Sequence, residues 1–316
     1  MSKCFSLTAS RTRCYVFAFS NSGLRLTVAD LGDGTVMQCW VPKTRREDKP
    51  SLVLIHGFGA NAMWQWADVV RAVAPHFNVY VPDLVFFGGS YTTRPDRSDA
   101  FQARCVMGVL LANRVGKMVV AGMSYGGFVA YSMAAQWPEA VERVVLCCAG
   151  VCLEERDLAE GLFRVADVEE AARILLPRTA AEMRELMRYT LVKPPLIIPS
   201  CFLQDYVDEM FSENVEEKKE LLRAIPKGRK LLDLPKIPQP TLIIWGDLDR
   251  VFPLELGYRL KSHLGENAEL VVIKNAGHAF NVEKPKELDK HLKPFLFSAT
   301  LPLPNTSSLA SNHQKQ

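Results

Sequence analysis

The chain has 316 residues, of which 48% are hydrophobic and 23% charged, and a formal net charge of +3. A soluble globular protein with one domain and an insertion fits that length and composition, and so small a charge without a basic run argues against nucleic acid as a partner. No apolar run reaches the roughly 18 residues of a membrane span, and the eight cysteines (Cys4, Cys14, Cys39, Cys105, Cys147, Cys148, Cys152, Cys201) include no Cys-x-x-Cys pair, which suits a reducing, cytoplasmic setting better than a disulfide framework or zinc site.

Residues 1–23 form an N-terminal segment. The first 29 residues carry Lys3, Arg11, Arg13 and Arg25 and no acid. That composition is compatible with an organelle transit peptide, with a weak membrane-surface anchor using Phe5, Tyr15, Phe17 and Phe19, or with a segment packed on the fold. Arg25 runs into the first strand pattern without a linker, which weighs against the transit peptide.

Leu24 to Ala29 and Val36 to Val41 flank a Gly/Asp turn and predict a β-hairpin. Ser51 to Ile55 is a continuous apolar run, as in a strand buried on both faces, and ends in His56-Gly57-Phe58-Gly59. A helix over Asn61 to Ala74, a strand over Asn78 to Val81, a loop through Phe86 to Ser90 and a helix over Asp99 to Val115 follow. Met118 to Ala121 then leads into Gly122-Met123-Ser124-Tyr125-Gly126-Gly127 and a helix from Phe128 to Trp137. Another buried strand covers Val141 to Ala149. Strand and helix alternate up to here, so the sheet is expected to be parallel with right-handed crossovers.

Residues 151–236 break the alternation. They contain helical patterns separated by Pro177, Pro194, Pro195, Pro199 and Pro226, and read as a helical lid inserted after the sixth strand. The core resumes over 237–297 with a strand at Thr241 to Trp245, a helix near Leu254 to Leu264, a strand at Glu269 to Ile273 and a last helix from Pro285 to Phe297. Residues 298–316 read as a disordered tail.

Three short segments lie at the carboxyl ends of strands, the edge where parallel α/β sheets place their sites. Ser124 sits at a sharp strand-to-helix turn, with glycine two positions before and two after to relieve crowding. Gly246-Asp247-Leu248-Asp249 follows a second strand, and Gly277-His278 a third. A serine hydroxyl needs a base to attack, imidazole serves near neutral pH, and a carboxylate fixes the ring's tautomer. By residue type alone, either Asp247 or Asp249 supplies the acid, the other being a turn residue. The amides of Phe58 and Tyr125 are candidates for an oxyanion hole. His76, His263 and His291 read as surface residues and His313 as a tail residue. Glu216 to Glu220, with Lys218 and Lys219, reads as a solvated helix face. No metal or cofactor site is indicated.

Over about residues 24 to 297, these motifs resemble the α/β-hydrolase superfamily, in its serine-nucleophile branch: monoacylglycerol-lipase-like proteins, carboxylesterases and meta-cleavage-product hydrolases, with a likeness to uncharacterised plant members. In that family the last residue of the Gly-x-x-Asp loop is the acid, so the resemblance implies catalytic Ser124, Asp249 and His278. It also implies a mostly parallel twisted sheet with helices on both faces and a lid that sets substrate choice. The expected activity is cleavage of a small or medium apolar, lipid-like ester through an acyl-enzyme. Carbon–carbon bond hydrolysis with the same triad, and a ligand receptor on the same fold, are the alternatives. The loop Asp83-Leu84-Val85-Phe86-Phe87-Gly88-Gly89-Ser90 departs from the family's Asp-x-Pro-Gly-x-Gly-x-Ser at Val85 and Phe86, which is expected to reshape the pocket near the oxyanion hole.

Overall fold

The computed structural model describes residues 6–195 and 197–298. The hairpin strands β1 (Leu24–Asp30) and β2 (Thr35–Pro42) pair antiparallel, with Leu24 opposite Pro42 and Asp30 opposite Val36. Strand β3 (Ser51–Ile55) lies parallel to β4 (Asn78–Pro82). The two-residue strand β5 (Tyr91–Thr92) bridges back to β2. Strands β6 (Met118–Met123), β7 (Val141–Cys147), β8 (Thr241–Gly246) and β9 (Ala268–Ile273) complete a nine-stranded sheet of order β1-β2-β4-β3-β6-β7-β8-β9. Every residue of β3, β4, β6 and β8 is buried, as the Val/Ile/Leu runs require of strands covered on both faces. The expected α/β architecture is thus present. The helical insertion follows the seventh strand rather than the sixth, because β5 is too short to carry a readable period.

Capping residues start the helices where the sequence breaks its strand patterns. Asn61 caps α2 (Ala62–Val73) and Ser98 caps α3 (Asp99–Ala112), each accepting from a backbone amide of the first turn. Helix α4 (Tyr125–Gln136) springs directly from Ser124. The insertion contains α5 (Arg156–Ala159), α6 (Val168–Leu175), α7 (Ala180–Thr190), α8 (Ser200–Met210) and α9 (Val215–Ala224). Thr179 and Glu182 form a capping box at α7. Helix α10 (Leu254–Leu264), the short α11 (Phe280–Glu283) and α12 (Pro285–Phe297) return the chain to the sheet. The tail expected from 298 onward lies, but for Ser298, outside the described residues.

The N-terminal segment forms the first helix of the chain, αN (Leu7–Asn21). It is packed on the fold. Asp205 of α8 accepts from the Thr8 amide at 2.8 Å and from Ser6 Oγ at 3.0 Å, which places a carboxylate on the helix N-terminus. Phe19 is fully buried against Trp40, and Tyr15 packs edge-on to Trp64. Of the aromatics considered as an anchor, Phe17 stays exposed and Phe5 lies outside the described residues. Among the described residues no helix is long and apolar enough to cross a membrane.

Candidate active site

The serine turn is built by close backbone approach. Ser124 has φ 53° and ψ −122°, a conformation that is costly for a side-chain-bearing residue. Its amide donates to Cys147 O at 2.8 Å and its carbonyl accepts from Gly127 N at 2.9 Å. A Cβ at Gly122 would strike the Gly126 carbonyl, and one at Gly126 would strike the carbonyls of Ile55 and His56. The strand and the helix can therefore approach each other only because both positions lack side chains.

Asp249 and His278 arrive from the ends of β8 and β9. His278 Nδ1–H donates to Asp249 Oδ2 at 2.8 Å, and Ser124 Oγ lies 2.9 Å from His278 Nε2. With Nδ1 carrying the proton, Nε2 is free to accept from the serine hydroxyl. The other carboxylate oxygen of Asp249 accepts from the amides of Val251 and Phe252 at 2.8 and 2.9 Å. Asp247 instead accepts from the Ala276 amide at 3.3 Å, in the loop after β9, and faces Lys274 at 3.9 Å. The geometry thus brings Asp249, not Asp247, to the histidine.

Gly57 lies against the serine turn: a Cβ there would come 2.8 Å from Met123 O and 2.9 Å from Ser124 Cβ. Phe58 and Tyr125 follow directly on Gly57 and Ser124 and line the same cavity as Ser124. Neither amide has an acceptor among the described residues. Gln65 braces the loop by accepting from the Gly57 amide at 2.6 Å. His56 is spent on structure: Nδ1–H donates to Gly57 O and Nε2 accepts from the Leu84 amide. Burial pushes His56 down to about 4, so it stays neutral at ordinary pH. Burial also raises the adjacent Asp83 to about 6, against the pull of the Ala62 amide.

Cys148, Asp249 and His278 place potential ligand atoms within 4.8 Å of one another. Burial raises the Cys148 thiol well above its ordinary range, and Sγ sits 3.4 Å from His278 O as a donor. A protonated thiol beside an already hydrogen-bonded Asp–His pair is a poor divalent-metal donor set.

Above Ser124 and His278 lies a cavity of about 740 Å³. Sheet-edge loops form its floor, while Leu186 and Met187 of α7, Phe202 and Tyr206 of α8, and Leu7 and Tyr15 of αN help to wall it. Leu162 and Val165 pack elsewhere and do not line it. Phe86 does not line it either, contrary to the expectation that its bulk reshapes the pocket. It adopts φ 75°, is buried, and lies under the Arg97 guanidinium at 4.7 Å. Its neighbour Phe87 is the one turned towards His56 and Phe58.

Two contributors escaped the sequence reading. Glu283 accepts from the Gly277 amide at 2.7 Å and from the Val192 amide at 2.8 Å, fastening the histidine loop to the insertion. Thr190 O accepts from the Ala279 amide on the same seam. No local pattern announces either, since both bonds join segments distant in the chain. The wall formed by αN was missed because Tyr15 to Phe19 is an unbroken apolar run without a helical stripe.

A family model for the alpha/beta hydrolase fold matches residues 50–285. The mouse (Mus musculus) monoacylglycerol lipase ABHD6 is 29% identical over 275 residues, spanning 82% of this chain and 79% of its own length. Among solved structures, a protein described as a lipase from Acinetobacter baumannii AYE superposes with a TM-score of 0.77 at 25% identity, covering 90% of this chain and 95% of that one. A bacterial membrane phospholipase A gives 0.76 at 26% identity, covering 92% and 90%.

Proposed function

The chain belongs to the alpha/beta hydrolase fold family and is a hydrolase, and from that premise we propose that it cleaves carboxylic esters of lipid-like character through an acyl-enzyme. The observation that carries this reading is the unbroken line from Ser124 Oγ through His278 to Asp249 at the floor of a large apolar cavity. Ser124 Oγ attacks the ester carbonyl while His278 Nε2 takes its proton. Asp249 holds the ring and stabilises the imidazolium. The amides of Phe58 and Tyr125, lacking other acceptors among the described residues, receive the developing oxyanion. His278 then protonates the departing alcohol. Water, deprotonated by His278, releases the acid and restores Ser124. The insertion acts as a lid that keeps the acyl chain out of water. The name of the mouse relative, a monoacylglycerol lipase, agrees with an acyl substrate.

The test is intact-protein mass after exposure to a fluorophosphonate, comparing wild type with Ser124→Ala. One adduct on wild type and none on the mutant is expected, followed by hydrolysis of p-nitrophenyl esters that improves with acyl length. A folded wild type that takes up no adduct would sink the proposal.

A further inference from the structure

The two sides of the cavity differ in polarity. On one side Leu175, Leu222, Ile225, Val251 and Phe252 also line an adjoining cavity of about 80 Å³, walled further on by Phe163 and Ile174. This side is apolar and continues inward; among the described residues the one charged group on the smaller cavity, Arg250, donates to the Arg188 carbonyl at 2.7 Å. On the other side stands αN, whose Arg11 lines the main cavity beside Leu7 and Tyr15. Apart from His278, Arg11 is the only ionisable acid or base of permanent charge among the lining residues described, and no carboxylate lines the cavity. Arg11 forms no close ion pair among the described residues; its guanidinium rests 4.9 Å from the centre of the Tyr15 ring, hydrogen-bonds the Tyr15 side chain and lies in the field of Asp68. Asp205, the acid that αN does use, is bonded at the helix N-terminus.

Resting on the ester-hydrolase reading, we propose that the substrate is an anionic amphiphile: an acyl ester whose alcohol part carries a phosphate or carboxylate that Arg11 recognises. The acyl chain lies on the Phe252 side, continuing towards the smaller cavity. The headgroup remains at the solvent-reached αN side, where a planar guanidinium suits a two-oxygen contact. Hydrolysis breaks the acyl C–O bond and adds the elements of water. The products are a fatty acid and the anionic alcohol. Arg11 touches neither the reacting carbonyl nor the triad, so it sets discrimination between headgroups.

The experiment measures kcat/KM for a 1-acylglycerol and for the 1-acylglycerol 3-phosphate of the same chain length, both below their aggregation concentrations. Wild type, Arg11→Gln and Arg11→Lys are compared. Wild type is expected to prefer the phosphate ester. Arg11→Gln should cut the ratio of phosphate to neutral ester by about ten-fold, mostly through KM. Arg11→Lys should fall between, because it keeps charge without the planar fork. A wild-type ratio at or below one overturns the inference, and so does a ratio that Arg11→Gln leaves unchanged. Failure of the ester reading is separate: neither ester is cleaved and Ser124 takes no fluorophosphonate.

Discussion

Strand β6 and helix α7 meet the same cavity from opposite sides, yet they are held in different ways. All six residues of β6 are buried, and its neighbours β3 and β7 pair with it on both edges. Helix α7 buries only Leu186. The core of its layer is a cluster of six residues, Ala172, Ile174, Leu176, Leu186, Phe211 and Leu222, separate from the main core. The seam to the sheet is largely polar there, running through Glu283 and Thr190. On the proposed mechanism Ser124, His278 and Asp249 must hold their geometry to within a fraction of an ångström, and the sheet supplies that rigidity. The insertion, proposed above to act as a lid, is drawn from less deeply packed elements, whose local opening costs less free energy.

The largest expected effect tests the rigid side. Asp249→Asn should lower kcat on a good ester by about 10⁴-fold, since an amide cannot hold the histidine tautomer that leaves Nε2 free. A fall of less than about ten-fold would mean that Asp249 serves only its turn. Next comes the cover. Ile174→Ala should cost roughly 2–5 kcal/mol of local stability, read as faster hydrogen exchange across 168–190 with protection in β6 unchanged. Equal acceleration in β6 would show that insertion and sheet open as one unit and would erase the contrast. The smallest effect concerns Lys218 on α9, buried with Nζ donating to Glu213 O at 2.9 Å and lying 5.0 Å from the Phe87 ring. Burial pulls its amine down to about 8 from 10.5. Between those values the unfolded chain binds more protons, so this group's contribution to stability rises with pH across that window. Urea midpoints should show wild type gaining on Lys218→Met from pH 8 to pH 10; parallel curves would contradict the burial of a charged amine.

Lys218 also marks where sequence reading stops. Within Glu216 to Glu220 it looks like one more charge on a solvated helix face, and only the docking of α9 over Phe87 removes it from water. Phe86 shows the reverse: a bulky residue in place of a glycine suggests a narrowed pocket, but the ring lies under Arg97 and does not line the cavity. By contrast, the glycines around Ser124 and the apolar runs of β3, β6 and β8 were legible, because their causes act within a few residues.

The sequence by itself determined the parallel sheet, the helical insertion and the short list of residues able to do nucleophilic chemistry, since strand burial, helix capping and the serine turn are local matters of residue type and spacing. The tertiary structure alone decided that Phe87 rather than Phe86 packs against His56 and Phe58, that Glu283 fastens the insertion to the histidine loop, and that the N-terminal helix with Arg11 completes the cavity wall. Those outcomes depend on contacts between residues as far apart as Thr8 and Asp205, and no local pattern encodes a contact whose partner lies nearly 200 positions away.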